Sequence, residues 1–454
     1  MARYKKNEII SGEGFNSDMV SDIQLPLCFP VEGKKTAEDK IRVLSLFSGC
    51  GGMDIGFEGA FIAPRKSFPI NSPYVERGVN EQWVLLRRTS FRTVFANDIL
   101  PEAQRAWLNY MDRFEYDSDM YRSESIVDLV KMQLNGSEIF PRSIDIVTGG
   151  FPCQDFSVAG KRGGFNSHRD DKGRLRSANK PTEENRGKLY YWMKQVIDIT
   201  HPKMFIAENV KGLANLGNVK EIIQQDFASA GGNGYIVLTP RLLNAGDYGV
   251  PETRERIIFI GVRRDALLPQ ALEALEKEQV PIEYDPYPRP THAFTTNDPD
   301  LLEPVCTADV LGYLKEPDET TDPSQAYYSK AKFLQNRSQG QTEIRLDGLG
   351  PTIRSEHHGN IEFRRLSKEH GGRHYEELQA GKKERRMTPR ECALIQTFPP
   401  DYEFVISNFN NIGYWVSPSG AYKIIGNAVP PVLAFKIATR IEEVWSKYFG
   451  SHGE

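Results

Sequence analysis

The chain has 454 residues and a formal net charge of −4, with 39% hydrophobic and 26% charged side chains. These proportions are typical of a globular protein with roughly two or three domains and a sizeable core. The five cysteines lack CxxC spacing, which argues against a disulfide framework or a zinc site and favours a reducing compartment. No apolar run approaches membrane-spanning length and the N-terminus has no signal-peptide core, so the sequence predicts a cytoplasmic protein without a membrane partner.

Basic residues are concentrated in two parts of this slightly acidic chain. Residues 160–190 carry nine Lys or Arg against four Asp or Glu, and residues 351–390 carry ten against six. Local surpluses of positive charge favour contact with phosphate groups. Charged runs are more often plain solvated surface, so this signal is weak by itself.

Strands and helices alternate in the first half of the chain. Hydrophobic patterning predicts helices at 53–61, 101–111 and 186–200. The predicted strands are 41–47, 93–96, 144–148, 204–207, 236–238 and 256–262. Residues 1–40 are polar and predict a loosely ordered extension, and residues 62–91, with three prolines, predict a loop or insertion. This alternation predicts an α/β sheet with helices on both faces.

The pattern changes after Arg263. Residues 264–385 are rich in proline, aspartate, glycine and other polar residues, and they predict a second domain of short strands and loops. A short capped helix is predicted at 388–395, where threonine precedes proline. An amphipathic helix at 430–448 is predicted to end the chain.

Cys153 is the first candidate for chemistry. It follows the predicted strand 144–148, which Gly149 and Gly150 end, and therefore lies at the carboxyl end of a strand. In an open α/β sheet that edge binds ligands, and a thiolate with a lowered pKa is a carbon nucleophile. A buried, inert side chain is the commoner alternative for a single cysteine. Cys153 alone leaves both interpretations open.

Four further features lie next to predicted strands. Residues 47–52 form a glycine-rich turn that lets the backbone approach a ligand but lacks the G-x-G-x-x-G dinucleotide spacing. Asp98 suits either ribose hydroxyls or a helix N-cap. Glu208 suits either a general acid in a partly dry cleft or a surface turn. Arg254 and Arg256 alternate, so they either face one anionic or carbonyl-rich ligand or are exposed edge charges.

Six segments together resemble the DNA cytosine-5 methyltransferase family of bacterial restriction-modification systems, over nearly all of residues 41–447 and in the family's order. The segments are LSLFSGCGGMDIGF (44–57), GFPCQDFS (150–157), ENV (208–210), YGVPETRER (248–256), RMTPRECALIQTFP (386–399) and IGNAVP (425–430). The resemblance implies an α/β fold: a Rossmann-like S-adenosylmethionine-dependent methyltransferase domain with a mixed, mostly parallel sheet, plus a smaller, irregular target-recognition domain. The implied division is an N-terminal extension (1–40), a catalytic and cofactor-binding domain (41–263, with 62–91 inserted), a target-recognition domain (264–420) and a C-terminal segment that returns to the catalytic domain (421–454).

The resemblance also implies the reaction. A methyl group would pass from S-adenosylmethionine to C5 of a flipped-out cytosine in a specific short sequence of double-stranded DNA, leaving S-adenosylhomocysteine. Cys153 would attack C6 and form a covalent adduct that makes C5 nucleophilic. Glu208 would hydrogen-bond the exocyclic amine and N3, and Arg256 would contact O2, with Arg254 supporting the loop. The basic segment 160–190 would close over the DNA.

The resemblance assigns the other site residues by position, and it implies no metal. The cofactor residues would be Phe47, Ser48, Gly49, Cys50, Gly51, Gly52, Asp98, Ile99, Ser125, Ile126, Asn427 and Ala428. The DNA contacts would be Gln154, Ser157, Arg162, Thr352, Ile353, Arg354, His357, His358 and Asn360. The histidine pair is equally consistent with a structural role or with phosphate contact. The chain departs from the family at four positions. Ser45 stands where Asp is common, and Asp98 where Glu is common. Ser125 stands where an acid is common, and Glu252 where Gln is common. These departures affect cofactor affinity and loop geometry rather than the reaction.

Three other functions share parts of this pattern. A zinc nucleobase deaminase needs Pro-Cys-x-x-Cys, and Phe156 stands where the second cysteine is required, which excludes it. A tRNA cytosine-5 methyltransferase stays an alternative, although the Cys-Phe-Thr element of that branch is absent. An inactive DNA-binding protein of the same fold is a third, and the intact Cys153 and Glu208 argue against it. A monomer is the default expectation, in the bacterial cytoplasm and associated with the nucleoid through DNA. A restriction endonuclease would act on the same site without a stable complex.

Overall fold

The computed structural model describes residues 40–152, 189–214, 219–232, 234–294, 298–330, 343–355, 361–365, 368, 372–408 and 413–450. The strands are β1 (Ile41–Leu46), β2 (Ile62–Pro64), β3 (Val75–Gly78), β4 (Trp83–Leu86), β5 (Phe91–Asn97), β6 (Tyr121–Arg122), β7 (Ile146–Gly150), β8 (Met204–Val210), β9 (Tyr235–Val237), β10 (Arg241–Asn244), β11 (Glu255–Arg263), β12 (Glu362–Arg364), β13 (Arg385–Arg386), β14 (Ile406–Ser407) and β15 (Tyr414–Val416). The α-helices are α1 (Gly52–Glu58), α2 (Pro101–Met111), α3 (Ile126–Leu134), α4 (Leu189–Thr200), α5 (Lys211–Ala214), α6 (Val219–Ala228), α7 (Pro269–Leu275), α8 (Thr307–Leu311), α9 (Pro323–Ala326), α10 (Tyr375–Gln379), α11 (Pro389–Ile395), α12 (Pro418–Asn427) and α13 (Pro431–Phe449).

The central sheet has the strand order β10-β11-β8-β7-β1-β5-β6, with β9 also paired to β11. Strands β6, β5, β1, β7 and β8 run parallel, whereas β11 runs antiparallel to β8, β9 and β10. The predicted mixed, mostly parallel α/β sheet is therefore confirmed. Because β5 and β7 lie on opposite sides of β1, the strand order reverses at β1. This reversal is where an open α/β sheet forms a ligand crevice.

Two apolar cores cover the two faces of this sheet, which is why its parallel strands are nearly continuous hydrophobic runs. One core includes α1, α2 and α13, and the other includes α3, α4 and α6. Helix α13 packs closely on α1, since a Cβ at Gly56 would lie 2.4 Å from Cβ of Ala434. By length and composition Pro418–Phe449 is apolar enough to cross a membrane, but 89% of its most apolar window is buried inside the fold. This stretch comprises α12 and α13, which are core helices.

Residues 62–91 contain a small sheet where the sequence analysis predicted a loop or insertion. Strands β2, β4 and β3 form an antiparallel sheet in that order. All four residues of Trp83–Leu86 are buried, and Phe68 and Tyr74 pack edge-on against Phe435 of α13. The prediction of a loop was wrong. Prolines and polar residues surround the short apolar run Trp83–Leu86 and hid its strand pattern in the sequence.

Within residues 264–420, the helices α7 to α10 lie in 264–385, where strands and loops alone were predicted, so that prediction was incomplete. The two-stranded sheets β12–β13 and β14–β15 lie in this part of the chain. Buried ion pairs join its elements, including Arg390–Asp322 at 2.7 Å and Arg385–Glu391 at 2.9 Å. The predicted capped helix at 388–395 is α11, with Thr388 as N-cap and Glu391 completing a capping box.

Candidate active site

A pocket of about 390 Å³ opens at the carboxyl ends of β1, β5, β7 and β8, where the strand order reverses. It brings together segments that are far apart in the sequence. The predicted residues that line it are Phe47, Ser48, Gly49, Gly52, Asp98, Ile99, Ser125, Ile126, Glu208, Arg256, Thr352, Ile353, Arg354, Asn427 and Ala428. The sequence analysis did not name Lys211, Glu255 and Lys423, which also line it. Lys211 directly follows the Glu-Asn-Val segment, and Glu255 separates the two arginines, so both positions carried a signal.

The turn after β1 holds the backbone in conformations suited to a ligand-facing loop. Phe47 has a positive φ of 52° and lines the pocket. At Gly51, where φ is 83°, a Cβ would lie 2.7 Å from Cδ1 of Trp107, so glycine is required there. Cys50 is fully buried, and its thiol donates to the Ile424 carbonyl oxygen at 3.4 Å. Neither Cys50 nor Gly51 lines the pocket, and the prediction that they contact the cofactor stays a prediction.

A buried carboxylate that the sequence analysis did not name supports this turn. Asp54 is 1% exposed and accepts hydrogen bonds from Ser45 Oγ at 2.6 Å and Trp107 Nε1 at 2.7 Å. Ser48 Oγ in turn donates to Ser45 Oγ at 2.8 Å. Burial raises the pKa of Asp54 to about 6. Ser45 stands where the family often has Asp. Its hydroxyl donates a hydrogen bond to the carboxylate of Asp54 on α1.

Asp98 lies just after β5 and lines the pocket. Its two carboxylate oxygens accept hydrogen bonds from Leu100 N at 2.9 Å and from Gly49 N at 3.1 Å. Leu100, not Asp98, is the N-cap of α2, so the alternative that made Asp98 a helix cap is wrong. Burial raises the pKa of Asp98, against the effect of these backbone N–H groups. The carboxylate fixes the β1 turn to the end of β5.

The remaining predicted cofactor residues close the pocket on two sides. Ser125 is the N-cap of α3 and accepts from Val127 N at 3.3 Å, beside Ile126. Asn427 and Ala428 lie at the end of α12 and line the opposite segment of the wall.

Glu208 and Arg256 form a buried ion pair at the adjoining ends of β8 and β11. Nε of Arg256 lies 2.7 Å from Oε1 of Glu208, and each side chain is 10% exposed. Burial raises the pKa of Glu208, and the positive charges of Arg256 and Arg254 oppose this rise. Gly150 of β7 faces Glu208, and a Cβ there would lie 2.9 Å from Oε2. The missing side chain leaves room for the carboxyl group.

Arg254 does not line the pocket, unlike Arg256. Side chains alternate within a strand, but β11 begins one residue after Arg254. The prediction that both arginines face one ligand therefore does not apply to Arg254. Arg254 is fully buried and lies 3.5 Å from Glu252. Its guanidinium donates to the carbonyl oxygens of Ile353 at 3.0 Å, Gly426 at 3.0 Å and Ala428 at 2.7 Å. It therefore connects two segments of the pocket wall to the start of β11, which is consistent with the predicted role of Arg254 in supporting the loop.

Thr352 and Ile353 line the pocket next to the hydrogen bonds that Arg254 makes. Ile353 N donates to Oε1 of Glu252 at 2.7 Å, and Thr352 Oγ1 donates to the Thr253 carbonyl oxygen. Burial raises the pKa of Glu252, and Arg254 opposes the rise. Arg354, the next residue in the chain, is exposed at the pocket. Of these three predicted DNA contacts, Arg354 presents the most accessible side chain.

Part of the predicted site lies outside the described residues: Cys153, Gln154, Ser157, Arg162, His357, His358 and Asn360, together with residues 160–188 of the basic segment. The described chain reaches Pro152, which lines the pocket. Asn209 Nδ2 donates to the Phe151 carbonyl oxygen at 3.1 Å and so fixes the approach to Pro152. The residue before Cys153 is thus part of the pocket wall.

This fold and pocket define an α/β protein with a ligand site where the strand order of its sheet reverses. The family model for C-5 cytosine-specific DNA methylases matches residues 41–443, and the chain belongs to that family. It is similar to the Type II methyltransferase M.BsuRI of Bacillus subtilis, with 31% identity over 89% of this chain and 79% of that protein. It is also similar to M.BspRI of Lysinibacillus sphaericus, with 30% identity over 90% of this chain and 83% of that protein. A solved structure of the S. pombe Dnmt2 methyltransferase covers 89% of this chain and 99% of its own, with 14% identity and a TM-score of 0.49. The predicted activity is confirmed: the chain is a DNA (cytosine-5-)-methyltransferase of the type II restriction-modification kind.

Proposed function

We propose that the chain transfers the methyl group of S-adenosylmethionine to C5 of a cytosine flipped out of double-stranded DNA, through a covalent bond between Cys153 and C6. The observation that carries the proposal is the buried Glu208–Arg256 pair, which shares one pocket with the glycine turn after β1 and with Pro152. A pair suited to a polar base edge, a cofactor loop and the approach to the nucleophile thus meet in one cavity. C6 is inaccessible in a stacked duplex, so the base has to leave the helix.

The residues around the β1 turn fit S-adenosylmethionine. The Asp98 carboxylate, held by two backbone N–H groups, suits ribose hydroxyls, and Phe47, Ile99 and Ile126 provide apolar walls for an adenine ring. When bound, S-adenosylmethionine supplies an electrophilic methyl group and leaves S-adenosylhomocysteine.

The chain's own residues make C5 of cytosine nucleophilic. The Cys153 thiolate adds to C6, and the electron pair of the C5–C6 double bond becomes available at C5. Glu208 hydrogen-bonds the exocyclic amine and N3 and stabilises the charge that develops there, while Arg256 contacts O2. After C5 has taken the methyl group, loss of the C5 proton restores the double bond, breaks the carbon–sulfur bond and releases the Cys153 thiolate with 5-methylcytosine.

Replacing Glu208 by glutamine is expected to lower the methylation rate by about 10²- to 10³-fold, because the amide keeps the shape of the side chain but cannot share a proton with N3. The pH dependence of stability should change as well. Burial raises the pKa of Glu208, so between its ordinary and its raised pKa the folded chain holds a proton that the unfolded chain has lost. The free energy of unfolding of the parent chain therefore falls as pH rises across that window, and this fall should be absent from the glutamine variant. Initial rates of methyl-tritium transfer and melting temperatures measured across that pH window check both expectations. A variant with the parental rate would contradict the assignment.

The bacterial type II relatives support a role as the modification enzyme of a restriction-modification system. We infer a monomer in the cytoplasm, associated with the nucleoid through DNA, beside an endonuclease that acts on the same site without a stable complex. Residues 264–420 would select the target sequence, with Thr352, Ile353 and Arg354 beside the flipped base and His357, His358 and Asn360 further along the same segment.

Bisulfite sequencing of plasmid DNA from cells that express the chain tests this function. Protected cytosines are expected in one short recurring sequence and not in DNA from cells with the empty vector. Uniform conversion of every cytosine, with folded protein present, would overturn the proposal. Methyl-tritium transfer from labelled S-adenosylmethionine to DNA and to tRNA then separates the two substrates.

A further inference from the structure

Lys211 and Glu255 form a second ion pair on the two strands that carry the Glu208–Arg256 pair. Lys211 directly follows β8 and Glu255 begins β11, next to the Val210–Arg256 register position. Nζ of Lys211 lies 2.7 Å and 2.9 Å from the two carboxylate oxygens of Glu255. The side chains are 50% and 36% exposed, whereas those of the Glu208–Arg256 pair are each 10% exposed. The pocket thus has an inner, buried pair and an outer, solvated pair.

The outer pair is free to exchange partners at low cost. An exposed ion pair contributes little to stability, so the closely spaced phosphates of DNA compete effectively for the Lys211 ammonium group. Arg256, by contrast, is held by the buried carboxylate of Glu208. Among the described residues that line the pocket, the cationic side chains are Lys211, Arg256, Arg354 and Lys423.

A cytosine that reaches Glu208 passes this outer pair, and its flanking phosphates stay outside because only the base enters the pocket. Those phosphates then lie at the level of Lys211 rather than of Arg256. An unneutralised Glu255 carboxylate at that level would repel them, and its pairing with Lys211 cancels this charge. From this geometry we propose that Lys211 binds a DNA phosphate beside the flipped cytosine, and that its positive charge offsets the repulsion between Glu255 and that phosphate. The inference rests on the proposed function.

The test is the salt dependence of DNA binding by Lys211→Gln. The probe is a short fluorescein-labelled duplex that contains the sequence found by bisulfite sequencing, bound in the presence of S-adenosylhomocysteine and measured by anisotropy over a series of NaCl concentrations. Loss of one phosphate contact is expected to weaken binding and to reduce the slope of log K against log [NaCl] by about 0.9. Glu255→Gln should instead strengthen binding, because it removes a negative charge and leaves Lys211 in place.

Lys277→Gln is the matched control, since Lys277 is 53% exposed and pairs with Glu273 at 3.3 Å, and neither residue lines the pocket. Its slope should equal that of the parent chain. An unchanged slope for Lys211→Gln, or equal weakening by Lys211→Gln and Glu255→Gln, would overturn the inference and leave the two residues as structural partners only. If the parent chain methylates DNA but the slope for Lys211→Gln equals that of the parent chain, only the proposed phosphate contact is refuted. If it methylates no DNA, the proposed function itself fails.

Discussion

Replacing Cys153 by serine is expected to abolish DNA methylation, with a loss in rate of about 10⁴-fold or more. The reacting species is a thiolate, and a serine hydroxyl ionises far less at neutral pH than a thiol does. Without the bond to C6, C5 of cytosine stays a poor nucleophile even when the cofactor is bound. Binding of DNA and S-adenosylhomocysteine should be unchanged, because only one atom differs. Single-turnover methyl-tritium transfer and duplex anisotropy measure the two properties separately.

Cys306→Ser is the matched control for this substitution. Cys306 is the N-cap of α8, a position that favours serine, and its backbone N–H donates to Oδ2 of Asp309 at 2.8 Å. A duplex with 5-fluorocytosine at the target should trap a denaturation-resistant adduct, since fluorine at C5 does not leave as a cation. The adduct should form with the parent chain and with Cys306→Ser but not with Cys153→Ser. Substantial methylation by Cys153→Ser would refute its assignment as the nucleophile.

Replacing Arg254 by methionine is expected to lower the free energy of unfolding by about 3–5 kcal/mol. The substitution leaves the fully buried Glu252 without its cation and removes the donor to the carbonyl oxygens of Ile353, Gly426 and Ala428. Such losses are large because buried polar groups lose a partner that water cannot replace. Guanidinium denaturation followed by circular dichroism gives the change. Cofactor affinity should fall as well, since Ala428 and Ile353 belong to the pocket wall.

Two further variants isolate the buried pair. Arg263→Met, at the other end of β11, breaks the more exposed pair with Asp265 and should cost about 1 kcal/mol or less. The double variant Glu252→Met/Arg254→Met should recover part of the lost stability, because it leaves no isolated buried charge. Equal stability of Arg254→Met and Arg263→Met would show that the buried tie contributes little.

The elements that depend on local pattern could be predicted from the sequence. Strands β1, β5, β7 and β8 are apolar because both faces of a parallel sheet are covered. Helix α11 carries its own start signals in Thr388 and Pro389. The three-stranded sheet β2-β4-β3 could not be predicted, since the residues between its strands, Phe68 and Tyr74, pack against Phe435 of α13, which lies at the far end of the chain.

The chemical groups of the site are evident from the amino-acid sequence. Asp98 and Glu208 each follow a predicted apolar strand, and strand ends in an α/β sheet meet at one edge, so these acids were identifiable from the sequence. Which of the groups face the pocket depends on how the chain folds. Side chains alternate only within a strand, and β11 begins at Glu255, where its pairing with β10 starts. Arg256 therefore belongs to the strand and lines the pocket. Arg254 precedes the strand and is fully buried. Asp54, Lys211 and Glu255 acquire their roles in the same way, because their partners are brought to them by folding rather than by sequence position.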